Sequence, residues 1–189
     1  MLLSAQCFGG LDLRRVAQPV VSDLVERTGL TAHLGVLDDD MIVYIDKYET
    51  LKGARLASSV GLRRQAVSTA LGKAILAFST PERVEALVGQ GLVAATPNSI
   101  TDPVQFRAEL DRVKRQGWAI DDEECEIGIR CAAAPVFDHT GHPVAAISAS
   151  SIASRIDDEG LRKLAHEIHL AAQGISRDLG YASSARGVA

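Results

Sequence analysis

The sequence predicts an α+β fold: an antiparallel sheet with helices flanking it. Two observations carry this. Strand-type runs come in adjacent pairs joined by tight, polar turns, at 31–37 with 41–48 and at 130–137 with 143–150. Helical stripes stand at both ends of the chain and in its middle.

The first helix is expected from Leu13, where Leu13, Val16, Val20 and Leu24 recur at helical spacing beside Ala17, Val21 and Val25. Asp12 has the chemistry of its N-cap and Gly29 that of its stop. Pro19 falls inside and is expected to bend the helix. Asp38, Asp39 and Asp40 form the turn of the first hairpin. A third strand is expected over Ala54 to Ser59, after which Gly61 to Arg64 leads into a helix beginning near Ser68 and Thr69. There Ala70, Leu71, Ala74, Ile75 and Phe78 make an apolar face, and Gly72 admits close approach of another element. A short helix runs from Pro81 to Val88, followed by a loop from Gly89 to Thr101. Asp102, Pro103 and Gln105 are cap, first-turn and third-position residues of a helix that stops at Gly117. Trp118 to Asp121 reads as a strand. The second hairpin turns across Asp138 to His142. Leu161, Leu164, Ile168, Ala172, Ile175 and Leu179 define a last helix from Asp157 to Leu179, and Ala182 to Ala189 reads as a frayed tail. Residues 1–181 are therefore expected to form one domain.

The 189 residues, 47% apolar and 23% charged, can bury a core without cross-links. No run approaches the ~20 apolar residues of a membrane span, and the first ten residues lack a secretory signal pattern. A net charge of −4 with scattered basic residues argues against a DNA-gripping face on this chain. Three cysteines, Cys7, Cys125 and Cys131, do not make a disulfide framework and suit a reducing cytoplasm. Their spacing, and that of His139 and His142, does not match a zinc site, so no metal and no cofactor are expected.

Several residue groups have functional and structural readings side by side. The segment Ser68 to Lys73 is either an anion cradle, with free N–H groups at a helix start, or an ordinary capped helix end. Ser148 and Ser150 lie two apart in an apolar strand and share a face. They meet either a polar ligand or water, or else a polar helix edge or solvent. Cys131 opens a strand of small residues, Ala132 to Ala134. It is either a pocket-lining or nucleophilic thiol or a buried inert one. Asp121 can accept from a ligand hydroxyl. Asp122, Glu123 and Glu124 read as a solvated acidic loop. No Gly-x-Ser-x-Gly, HExxH or dinucleotide loop is present, so no catalytic residue is assigned and the chain is not read as an enzyme.

Six segments taken together carry a resemblance. They are Leu11 to Arg14, Thr69 to Ala74, Thr96 to Asp102, Gly117 to Glu124, Gly128 to Val136 and Ala146 to Ser150. In order and spacing, from about residue 10 to 180, the chain resembles the effector-binding domain of IclR-type bacterial transcriptional regulators. The resemblance implies a GAF/profilin-like sheet and a pocket for a small organic acid. It maps that pocket onto the backbone of Ala70 and Leu71, the side chains of Asp121 and Cys131, the hydroxyls of Ser148 and Ser150, and an apolar wall at Leu56. It further implies a homodimer or homotetramer that reaches DNA through an N-terminal winged helix-turn-helix lying outside this chain. Val67 stands where a histidine is common in the family, and Ser151-Ile152 where Gly-Pro often follows. A GAF-like sensor of a non-transcriptional system, or a small-carboxylate enzyme using Cys131, is the alternative.

Overall fold

The computed structural model describes residues 3–50 and 56–182, with only the backbone for residues 3–12. The elements are α1 (Leu3–Thr28), β1 (Thr31–Asp38), β2 (Met41–Tyr48), β3 (Arg63–Gln65), α2 (Ala70–Leu76), α3 (Pro81–Gly89), α4 (Pro103–Gln116), β4 (Ala119–Asp122), β5 (Ile129–Phe137), β6 (Pro143–Ile152) and α5 (Asp158–Asp178). The strands form one six-stranded antiparallel sheet in the order β3-β2-β1-β6-β5-β4. Paired strands are consecutive in the chain except where β1 meets β6, which joins the two halves into a single layer, with the consecutive strands β3 and β4 at its opposite edges.

Strand alternation divides the side chains cleanly. Ala32, Leu34, Ala132, Ala134, Val136, Ala145, Ile147 and Ala149 point to one face. There they meet Leu13, Ala17, Val21 and Leu24 of α1 and Leu161, Leu164, Ile168, Ala172 and Ile175 of α5. Gly35, Ala133 and Ala146 occupy the other face, against which α2 packs, with α4 behind it. Small residues are required there. A Cβ on Gly35 would stand 3.0 Å from Leu71 Cδ1, and one on Gly72 would stand 2.0 Å from the Ala66 carbonyl oxygen. The close approach expected at Gly72 is thus made against backbone.

Helix ends follow the sequence signals. The side chains of Thr69, Asp102 and Asp157 accept from the N–H groups of Gly72, Gln105 and Gly160. Gly29 and Gly117 end their helices at φ +69° and +84°.

Three expectations change. Asp12 is not an N-cap, because α1 begins at Leu3. Aspartate costs little inside a helix, so a cap-type residue does not by itself start one. The third strand is not at 56–59 but at Arg63–Gln65, where it pairs with Met41 to Val43 of β2. The remainder of that expected strand, Ala54 and Arg55, lies outside the described residues, as does the tail from residue 183. Finally, Gly61 to Arg64 enters that strand and a single 3-10 turn, Ala66–Ser68, before α2.

Candidate functional site

The face under α2 carries a row of polar side chains from four neighbouring strands: His33 on β1, Ser148 and Ser150 on β6, Cys131 on β5 and Asp121 on β4. The register places Asp121 opposite Cys131, Cys131 opposite Ser150, and His33 opposite Ser148. A cavity of about 60 Å³ opens beside them, roofed by residues 56–58 and Leu62. Leu56, Asp121, Cys131 and Ser150 line it, together with His33, Tyr44, Arg64 and Cys125. Ser148 lies one pleat further along the same face, buried, and its hydroxyl makes no hydrogen bond among the described residues. Ala70 and Leu71 are buried in the first turn of α2 and do not line the cavity as it stands.

His33, Tyr44, Arg64 and Cys125 were not singled out from the sequence. Strand alternation was the available signal for the first two, since His33 and Tyr44 fall on the α2 face. Their ring centroids stand 4.6 Å apart with the planes tilted by 33°, and His33 Nε2 lies 2.8 Å from Ser58 Oγ. Burial, reinforced by the charge of Lys47, pulls His33 down to about 4, so the ring is neutral at pH 7.

Asp121 is 3% exposed, and one carboxylate oxygen accepts from the backbone N–H groups of Glu124 (2.8 Å) and Cys125 (3.2 Å). Burial, with the charge of Glu124 added, raises it to about 7. The Cys131 thiol sits 3.0 Å from Ser150 Oγ, and burial beside Asp121 pushes it well above the ordinary thiol value. A thiol so placed stays protonated, which suits a wall and not a nucleophile. Cys125 is likewise raised, to about 11, chiefly by burial.

The acidic run is not a solvated loop throughout. Asp122 is exposed and pairs with Arg130, but Glu124 is 7% exposed and turns inward. Its carboxylate meets the ammonium group of Lys73, itself 1% exposed, which also lies 3.3 Å from Glu109. The hydroxyls of Thr96 and Ser99 donate to the carbonyl oxygens of Glu123 and Glu124 at 2.7 Å. Gly128 N–H donates to the Glu123 carboxylate at 2.6 Å, while Glu123 adopts φ +59°. Three separated sequence segments, at Lys73, at Thr96 and Ser99, and at Gly128 and Arg130, therefore tie this loop down, and the charge of Glu124 is matched by a lysine 51 residues away. Among the described residues, no three His, Cys, Asp or Glu side chains are placed to hold a metal ion.

Comparison with known proteins places this geometry. The family model described as "Bacterial transcriptional regulator IclR C-terminal" matches residues 5–177. The chain is 37% identical over 180 residues to the HTH-type transcriptional regulator KdgR of Escherichia coli, covering 95% of this chain and 68% of KdgR. The Thermotoga maritima IclR crystal structure superposes with a TM-score of 0.86 at 37% identity, covering 95% of this chain and 74% of that one. The inducer-binding domain of the Acinetobacter PobR transcription factor, a double mutant in complex with 3-hydroxybenzoic acid, superposes at 0.78 with 27% identity, covering 86% and 96%. The matched relatives are named regulators of transcription, and no described helix is long and apolar enough to cross a membrane. With its matched C-terminal model, its shared sheet and its relatives all agreeing, the chain belongs to the IclR family of bacterial transcriptional regulators and carries that family's effector-binding domain.

Proposed function

We propose that the cavity beneath residues 56–62 binds a small carboxylate-bearing metabolite, and that its occupancy changes operator binding by rearranging an oligomer of the cytoplasmic regulator. The observation that carries this is the convergence of Asp121, Cys131 and Ser150 from three strands on one enclosed space. A PobR domain of the same fold is described with a hydroxybenzoic acid, which supports the ligand class.

The volume limits the occupant. Some 60 Å³ admits about four water-sized groups. A larger acid requires the 56–62 segment to withdraw, or the space to extend toward α2. In that enlarged form the first-turn N–H groups of Ala70 and Leu71, which no helical carbonyl can reach, become carboxylate donors beside Ser148. Arg64, on the lining and 3.9 Å from Glu126, offers a cation at the mouth. Asp121 takes a hydroxyl or hydrated carbonyl at the ligand's other end, since two carboxylates side by side repel. Its shift to about 7 lessens that repulsion near neutral pH.

Ligand and apo forms then differ in the very segment that must move, which is what a sensor needs. A thermal-shift screen of short keto, hydroxy and aromatic acids tests the reading. A ligand at about 100 times its Kd adds ~2.7 kcal/mol of stability. Asp121→Ala and Ser150→Ala should remove the shift. Retention of the full shift in both variants would place the effector elsewhere.

A further inference from the structure

We infer that the opposite end of β5 carries a second ligand site, one that accepts a small aromatic anion. A cavity of about 640 Å³ lies there, within the range of ordinary small-molecule pockets and far larger than the one beside Asp121. Phe137, at the last position of β5, forms its wall. Cys131 is six residues back along the strand, so the two cavities are separated by roughly 20 Å.

The wall is aromatic and already arranged. Phe137 meets Phe78 edge-on at 5.0 Å and stacks on Tyr181 at 5.1 Å, leaving ring surfaces that favour a further ring. The polar groups that could compete for water are mutually engaged. His169 bonds to the Gly117 carbonyl oxygen at 2.9 Å through Nδ1 and to Gln173 at 2.9 Å through Nε2. Ser176 donates to the Ala172 carbonyl and accepts from the Phe137 N–H. Burial lowers the His169 pKa, so this imidazole adds no charge at pH 7.

Charge then selects the ligand. Among the described lining residues there is no carboxylate, and Arg177 is the only charged one. Arg177 makes no ion pair among the described residues, although the chain as a whole is acidic. A solvent-accessible guanidinium at the rim of an aromatic cavity suits a ring bearing a carboxylate, with the ring on Phe137 and Tyr181 and the acid on Arg177.

Fluorine NMR of para-fluorobenzoate titrated with the full chain tests the site, with para-fluorobenzamide as the neutral counterpart. The wild type should prefer the acid by roughly tenfold, the worth of one charge-assisted pair. Arg177→Gln should erase that preference, Tyr181→Ala should weaken both probes, and Asp102→Ala, at the cap of α4 and away from both cavities, should change neither. The inference is overturned if the acid preference survives Arg177→Gln, if Tyr181→Ala leaves both probes bound as tightly as in the wild type, or if no probe binds at millimolar concentration. Probe binding that declines as protein concentration rises would assign the cavity to a second copy of the chain, and would overturn it too. Because Arg177 and Tyr181 line this cavity and not the one beside Asp121, failure of this site and failure of the effector cavity give different patterns.

Discussion

The two faces of the sheet come from the same strands and do different work. Facing α1 and α5, the inward positions are aliphatic or alanine, and the burial is plain hydrocarbon. Facing α2 and α4, the same strands present Gly35, His33, Cys131, Ser148, Ser150 and Asp121, with Lys73, Glu109 and Glu124 beneath. The first face supplies stability at about 25 cal/mol per Å² of buried apolar area. The second places polar groups where each must be matched or pay a desolvation cost. The difference teaches that one residue of alternation separates the part that holds the fold from the part that can sense something.

The largest test of that division is Lys73→Met. It strands Glu124 as a buried, unpaired acid, while Glu109 keeps its pair with Arg112, and should lower stability by about 3–5 kcal/mol in urea denaturation at pH 7. Glu124→Gln added to it should recover part of the loss, and a cost below ~1 kcal/mol would show that the buried pair is not matched as described. On the aliphatic face, Ile147→Ala should cost about 2–5 kcal/mol while leaving carboxylate affinity unchanged. A fall in affinity comparable to the Asp121→Ala effect would erase the distinction between the faces.

Asp121→Asn should act in the opposite direction. In the fold Asp121 titrates near 7 against 3.8 ordinarily, so the folded state holds the extra proton between those values. Stability from this group therefore falls as pH rises from about 4 to 7, and the cost is complete above 7. The amide still accepts from Glu124 and Cys125, so Asp121→Asn should stabilise by about 2 kcal/mol at pH 8 and by nothing near pH 4. His33 works against this trend. Its folded value of about 4, against 6.5, makes stability drop as pH falls through that window, so the variant should show the steeper acid loss. In the wild type, carboxylate binding should strengthen as pH falls from 8 to 6, measured by calorimetry. A flat profile would mean that Asp121 does not neighbour the bound acid. The smallest effect is expected at Asp102→Ala, about 1 kcal/mol from a lost cap at α4, with binding untouched.

Much of this was legible in the sequence, and the exceptions have physical causes. Both hairpins, the capped ends of α2, α4 and α5, and the α5 stripe followed from periodicity and cap chemistry, because those signals are local. β3 was misplaced because three residues, Arg63 to Gln65, show no alternation to read. Lys73 was not seen as buried because its partners, Glu109 and Glu124, are 36 and 51 residues away in sequence. For the same reason Glu124 was grouped with its exposed neighbours. The site residues divide similarly. Ser148 and Ser150 share a face that strand alternation gave, whereas Cys131 and Asp121 entered the pocket through the resemblance, and their place beside Ser150 follows from sheet register. The engagement of Asp121 with the loop behind it depends on a turn held by Thr96 and Ser99, whose role no local pattern announces.

The sheet's outer strands have a consequence for how copies of this chain can meet. Its borders, β3 and β4, offer three and four residues of ladder, against nine and ten in β5 and β6. An incoming strand finds too little unpaired backbone to template on. Growth by edge addition, the route to fibrils, is thereby blocked, and self-association is left to side-chain surfaces, where specificity can be written residue by residue.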